Sequence, residues 1–256
     1  MNHTLRMTTT RNHVCARHDT RTITPPTPTA RSSYIPAVNP EALLLSQLPE
    51  QERRRLLAVA RRRKFARNEV VFHEGDPGES LHIIAKGHVA IRATTPLGDV
   101  ATFRVLSTGE IFGEQALLVA DASRVASAVA LEPTETHSLH RDDFDQLRRE
   151  YPQVDRFLVE ALVLQVRRLS VHLQEALFVP AESRVLRRLL ELADTYADAN
   201  VPALIPLTQD EIATMAGTTR PTANRVLKTA EADGCLVLTR GRIEVIDREG
   251  LARRAR

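Results

Sequence analysis

The chain is short of cysteine, of long apolar runs and of acid near its start, and each shortage excludes something. Its two cysteines, Cys15 and Cys235, lie far apart. They supply neither a disulfide framework nor a CxxC metal spacing. An iron–sulfur cluster needs about four cysteine ligands, so none is expected. A reducing cytoplasm is the expected home of such a chain. No apolar run approaches the roughly 20 residues that span a bilayer. The N-terminus has no apolar signal core, so neither membrane insertion nor secretion is expected. No nucleophile–base pairing and no Gly-rich phosphate loop leading into a helix is present, so an enzyme is not expected. His73, His82, His88, His137, His140 and His172 show no metal-ligand spacing, so neither a metal nor a haem is expected.

What is present suits two modest domains: 256 residues, 43% of them hydrophobic. The net charge of +3 is a weak hint of nucleic-acid binding. Its distribution is uneven. Residues 1–40 hold five arginines and one acid, residues 41–180 hold 18 basic and 20 acidic residues, and residues 181–256 hold 12 and 11. Segment 1–40 is rich in Thr, Arg and Pro, with Pro25, Pro26 and Pro28 clustered. Such a segment buries too little surface to offset its ordering entropy, so it is expected to be a disordered tail. An idle tail or a misplaced start codon, a transit-like leader, and a basic arm adding non-specific DNA affinity are the three readings of it.

Residues 41–67 read as a basic helix, with Leu43, Leu44, Leu48, Leu56, Leu57, Val59 and Ala60 supplying its apolar faces. The runs Arg53–Arg55 and Arg61–Lys64 read as solvated faces. From Val70 to about His140 the pattern has period two, punctuated by Gly75, Gly78, Gly87, Gly98, Gly109 and Gly113. Short strands with regular turn signals imply an antiparallel sandwich or barrel. Residues 141–179 then turn helical. Leu158, Leu162, Gln165, Leu169, His172 and Ala176 form one stripe; Val159, Val163, Val166, Ser170, Leu173 and Leu177 form another. One stripe is expected to pack on the sheet domain and the other on a second copy's helix, as in a coiled-coil homodimer. A helix buried within one chain is the alternative. Pro180 should stop the helix and make Phe178–Glu182 a hinge.

The most specific signal lies at 207–230. Thr208-Gln209-Asp210-Glu211 is a capping box. Gly217 follows the first helix, where a left-handed turn costs glycine little. Thr218 and Thr219 are good caps for a second helix with Pro221 in its first turn. Ala223, Val226, Leu227 and Ala230 form its inner face. This is a helix-turn-helix, whose second helix enters the major groove of DNA. Thr219, Arg220, Thr222, Asn224, Arg225 and Lys228 are its expected DNA-facing residues. No acid occurs between Ile212 and Ala230. Arg220 and Arg225 are placed to read guanines, while Lys228 and the threonines contact phosphate. Downstream, two apolar runs flank Thr239-Arg240-Gly241-Arg242, a hairpin wing presenting Arg240 and Arg242 to DNA.

With these elements in this order, the chain resembles the Crp-Fnr family, of the cyclic AMP receptor type, over about residues 41–250. The markers are Gly75-Asp76-Pro77-Gly78, Ala85-Lys86-Gly87, Phe112-Gly113-Glu114, Arg124, the long helix and the helix-turn-helix. Ala176–Leu190 and Thr218–Thr222 look like actinobacterial members. The resemblance implies an α+β fold in four parts: the tail at 1–40, a cyclic-nucleotide-binding-type β-roll at 41–140, a central dimerisation helix and hinge at 141–180, and a winged helix-turn-helix at 181–256. It implies a cytoplasmic transcription regulator, homodimeric on palindromic double-stranded DNA, with RNA polymerase as a further partner if it activates. It also implies a cyclic AMP or cyclic GMP effector. Its phosphate would meet Arg124 and the backbone around Gly113 and Gln115, and its ribose hydroxyl would meet Glu114. Val125 stands where nucleotide-binding relatives carry a hydroxyl. Ser170 and His172 are the candidates for the purine. An empty pocket in an effector-independent regulator is the second reading. A cyclic-nucleotide-binding subunit acting on a protein partner is a third, and the basic reading helix argues against it.

Pro221 also replaces a glutamate that family members of this type carry between the two arginines, which accepts a hydrogen bond from a base. Proline has no side-chain acceptor. Selection from a randomised palindromic library should therefore yield guanine-containing half-sites with relaxed preference at that one base pair; a sharp preference there would contradict this.

Overall fold

The computed structural model describes residues 48–95, 98–119, 122–197 and 202–256. All of them fall within one compact unit, residues 34–256. The expected tail at 1–40, with Leu43 and Leu44, lies outside the described residues.

The first described helix, α1 (Glu50–Val59), is followed at once by a strand, β1 (Arg61–Phe65). The expected helix over 41–67 is therefore wrong beyond Val59, and the strands begin before Val70. The reason is tertiary. β1 pairs antiparallel with β8 (Thr134–His140), from Arg61 opposite Ser138 to Phe65 opposite Thr134. Its four basic side chains stay exposed while Phe65 turns inward. Glu135 of β8 takes ion pairs from both Arg62 and Lys64.

The remaining strands of this part are β2 (Val70–Phe72), β3 (Ser80–Lys86), β4 (Val89–Thr94), β5 (Val100–Leu106), β6 (Ile111–Phe112) and β7 (Ser127–Ala130). A short helix, α2 (Gln115–Leu118), follows β6. The strands form two four-stranded antiparallel sheets, ordered β1-β8-β3-β6 and β2-β7-β4-β5. Ile84 and Phe112 of the first sheet meet Val89, Leu106 and Ala128 of the second, which makes the inside of a roll. Both sheets are covered outside as well. Leu81, Ile83 and Leu139 on the first pack under helical residues Leu56, Phe144, Phe157 and Leu158. Ala90 and Val105 of the second, with Leu131 just beyond β7, join the core of the C-terminal part.

The central helical region is two helices, α3 (Arg141–Glu150) and α4 (Pro152–Phe178). Tyr151 between them is extended, with φ −134° and ψ 92°. A residue before proline avoids helical geometry, and Pro152 suits a first helical position. The single helix expected over 141–179 thus breaks at its one internal proline. On α4, Val154, Phe157, Leu158 and Ala161 are buried against the roll. The second stripe points away: Val159, Val163, Val166, Leu173 and Leu177 are each more than half exposed.

Val179 and Pro180 are both extended, and α5 (Ala181–Thr195) begins directly after them. The C-terminal part continues as β9 (Ala203–Ile205), α6 (Gln209–Met215), α7 (Arg220–Ala232), β10 (Leu236–Thr239), β11 (Arg242–Val245) and α8 (Arg248–Arg254). Its sheet has the order β10-β11-β9. Leu189 on α5 is fully buried at the centre of this core. Leu189→Ala should cost about 2–5 kcal/mol, the range for a cavity left by a buried leucine. Urea unfolding of the full chain measures it; a loss below about 1 kcal/mol would mean that the core collapses around the deletion.

Candidate functional site

Two surfaces carry chemistry. The first is a cavity of about 410 Å³. The roll supplies Phe72, Arg104, Gly113, Glu114, Gln115, Arg124 and Val125 to its walls. One face of α4 supplies Ala161, Gln165, Arg168, Leu169, His172, Glu175 and Ala176. At a rise of 1.5 Å per residue, that face runs along the cavity for about 20 Å. The far wall comes from Arg184 and Arg188 of α5 and from the helix-turn-helix itself, at Thr214, Met215, Ala216 and Gly217.

Arg124 is the best-defined group in it. Its guanidinium lies 4.1 Å above the Phe72 ring. Nη1 donates to the Gly113 carbonyl at 2.9 Å, and Nη2 donates to the Ser80 carbonyl at 2.7 Å. Arg124 is 6% exposed, and its Nε is buried without an acceptor among the described residues. Burial pulls its pKa below the usual arginine value, and the carboxylates of Glu114, Asp76 and Glu79 oppose that shift. Gly113 is required for this approach. Its φ is +80°, and a Cβ there would stand 2.5 Å from Arg124 Nη1. Glu114 is buried beside the arginine, Gln115 is exposed at the rim, and Val125 is 67% exposed.

The two candidates on the central helix separate. His172 lines the cavity, touches Arg188 and lies 3.7 Å from Glu191. Ser170 does not line it; its hydroxyl donates back to the Val166 carbonyl at 2.9 Å and sits beside the exposed apolar stripe. Residues two apart on a helix point about 200° apart, so only one of them could face the cavity. The sequence reading missed the charged floor next to His172. Glu175 and Arg188 are buried and ion-paired, and Arg187 joins Glu175 at 2.9 Å. In sequence these were ordinary polar positions of two amphipathic helices, and no local signal sets them apart.

The second surface is the helix-turn-helix with its wing. Thr208 and Glu211 form the capping box of α6. Gly217 has φ +58° in the turn, and Thr219 caps α7. Ala223, Val226, Leu227 and Ala230 are buried. Arg220, Asn224, Arg225 and Lys228 are exposed along the opposite face, and Thr222 is half-buried against the Thr219 hydroxyl. The wing is tighter than the four-residue tip expected. Thr239 pairs with Arg242, which leaves only Arg240-Gly241 in the turn, and both arginines are exposed. Among the described residues, no three acidic, His or Cys side chains are placed to hold a metal, and no helix is long and apolar enough to cross a membrane.

Comparison with known proteins places these surfaces in context. Residues 62–151 match the model of the cyclic nucleotide-binding domain, and residues 183–254 match that of the Crp-like helix-turn-helix domain. The chain is 34% identical over 189 residues to the cyclic AMP receptor protein of Thermus thermophilus, covering 74% of this chain and 85% of that one. It is 31% identical over 195 residues to the CRP-like cAMP-activated global transcriptional regulator of Mycobacterium tuberculosis, covering 75% and 87%. The solved structure of the c-di-GMP responsive global regulator CLP of Xanthomonas campestris shares the fold, with a TM-score of 0.65 at 24% identity over 77% of this chain and 99% of that one.

One buried group under the cavity titrates abnormally. His82 stacks on Phe112 with centroids 5.1 Å apart and shares a hydrogen bond with the Thr136 hydroxyl at 3.1 Å. Burial, then the charges of Arg124 and Arg63, push its imidazole from the ordinary 6.5 down to about 3. The unfolded chain takes a proton that the folded chain refuses. Stability held by neutral His82 is complete above pH 6.5 and is lost as pH falls toward 3, by up to about 1.4 kcal/mol per pH unit. His82→Phe should flatten the pH profile of the urea midpoint across that window. An unchanged acid slope would assign the pH dependence to other groups.

Proposed function

Since this chain belongs to the Crp-Fnr family of DNA-binding transcription regulators, we propose that it reads a palindromic DNA site as a cytoplasmic homodimer under the control of a cyclic nucleotide held in the roll. The observation that carries the effector reading is Arg124. It is a buried cation facing a cavity, stacked on an aromatic ring, with one donor left without an acceptor. A buried cation at a cavity wall attracts an anion into that cavity, where charge-assisted hydrogen bonds are strong. The Gly113 segment lies beside that guanidinium on the cavity wall, and Glu114 offers a carboxylate to a ribose hydroxyl. Gln165, Arg168 and His172 offer polar edges to a base. Cyclic AMP and cyclic GMP are the two candidates.

Each recognition helix would enter the major groove of one half-site, the two centres lying about 10 base pairs apart. The exposed valine and leucine stripe of α4 supplies the dimer seam, since a contiguous exposed apolar stripe marks an interaction surface. Control follows from the shared cavity wall. A ligand there touches both the roll and the turn of the helix-turn-helix, so its affinity depends on how the two are placed. That difference in affinity is what can shift the reading helices. RNA polymerase is a further partner if the regulator activates. A second reading, effector-independent DNA binding, draws on two features: Arg124 already has carbonyl partners, and Val125 offers no hydroxyl.

The deciding measurement is selection from a randomised palindromic library by purified protein, with and without cyclic AMP or cyclic GMP. Tightening by nucleotide, lost in Arg124→Ala, is the expected result. Equal binding without nucleotide would favour the second reading. No selected site under any condition at low salt would overturn the DNA-binding reading.

A further inference from the structure

The recognition helix carries no acid at its reading end, because Pro221 stands between Arg220 and Asn224. The fold brings one in from elsewhere. Glu182, in the first turn of α5, places Oε1 2.8 Å from Arg225 Nη2. Both side chains are more than half exposed, so the pair lies on the open reading surface. Arg220 forms no ion pair among the described residues. The two base-reading arginines are therefore not equivalent.

The placement of Glu182 is not left to a flexible hinge. Arg184, half a turn further along α5, donates from Nε to the Ala216 carbonyl at 2.8 Å and from Nη2 to the Gly217 carbonyl at 2.9 Å. Its Nη1 donates to the Val179 carbonyl at 2.7 Å. One guanidinium thus binds the start of α5 to the turn of the helix-turn-helix. The backbone that carries Glu182 is thereby tied to the turn that precedes the reading helix.

From this geometry we infer that Glu182 is a specificity-determining residue of the DNA interface, orienting Arg225 for its guanine. The inference rests on the DNA-binding reading above. An exposed pair of this kind contributes little to stability, so its value must be sought elsewhere. Holding one Nη2 hydrogen fixes the plane of the fork and leaves the other Nη2 hydrogen, together with Nη1 or Nε, to face the base edge. It removes rotamers that a free arginine would have to give up on binding. The carboxylate also disfavours use of Arg225 as a loose phosphate contact, because Glu182 is repelled by phosphate. The pair therefore exchanges some non-specific affinity for selectivity at one base pair, and Glu182 acts as a positioning residue through Arg225.

The test uses the full-length protein and compares wild type, Glu182→Ala, Glu182→Gln and Arg225→Ala on the selected site and on variants changed at single base pairs. Arg225→Ala identifies the base pair that Arg225 reads. At that pair, Glu182→Ala should reduce discrimination about five- to tenfold, a part of the effect of a whole bidentate contact. Discrimination at the Arg220 pair and the urea midpoint should not move. Binding to unrelated DNA should tighten as one negative charge is removed. Glu182→Gln, which keeps an acceptor, should recover part of the discrimination. Unchanged discrimination at the Arg225 pair, or equal losses at both pairs, would overturn the inference while leaving DNA binding intact. A wild-type protein that selects no site would overturn both.

Discussion

An apolar sheet face cannot be left in water, and the outer face of the β2-β7-β4-β5 sheet is such a face. Ala90, Val105 and Leu131 cover it by joining the core built from Val185, Leu189, Ile212 and Leu227. Much of the molecule's organisation depends on this contact. It sets the helix-turn-helix directly against the roll, and polar contacts then form around the apolar patch. Arg92 of β4 pairs with Glu211 at 2.7 Å, the same glutamate that closes the capping box of α6. The Thr102 amide donates to the Thr214 hydroxyl at 3.4 Å. The cavity acquires a wall from the DNA reader only because of this docking.

The same contact gives a route by which a small ligand can influence a reading helix. No long chain of side chains is needed, because the cavity touches Met215, Ala216 and Gly217, and α7 begins three residues later. The charged floor adds a second tie. Arg188 and Glu175 are buried together where α4 meets α5, with His172 and Glu191 around them. Burying such a pair gains little net stability over apolar packing, but separating it is expensive. It therefore favours one arrangement of the two helices over loosely related ones.

Within the reader, Arg184 ties the start of α5 to the turn before α7. The exposed stripe on α4 turns the opposite way from the cavity face. A partner helix and an effector would thus approach the same helix from different sides, and both would bear on the α4–α5 junction.

The reader was legible residue by residue, since its determinants are local. The capping box at Thr208 and Glu211, the left-handed Gly217, Pro221 at the start of α7 and the buried quartet from Ala223 to Ala230 all act within a few residues of one another. Arg124 was singled out only by resemblance, because nothing near it in sequence announces that Phe72 and Gly113 will surround it. Arg61–Lys64 was misread as helix because strand formation there depends on pairing with β8, 73 residues away at the Arg62–Glu135 contact. The break at Tyr151 was available in the sequence, as proline restricts the residue before it. The choice between Ser170 and His172 was not, since periodicity gives the faces of a helix but not their direction. The sequence by itself determined the elements whose signals are local, their order and the apolar faces they must bury. Tertiary structure alone decided which faces met, and with that it brought Glu182 to Arg225 and the helix-turn-helix to the cavity, because those contacts join residues far apart in the chain that no local pattern links.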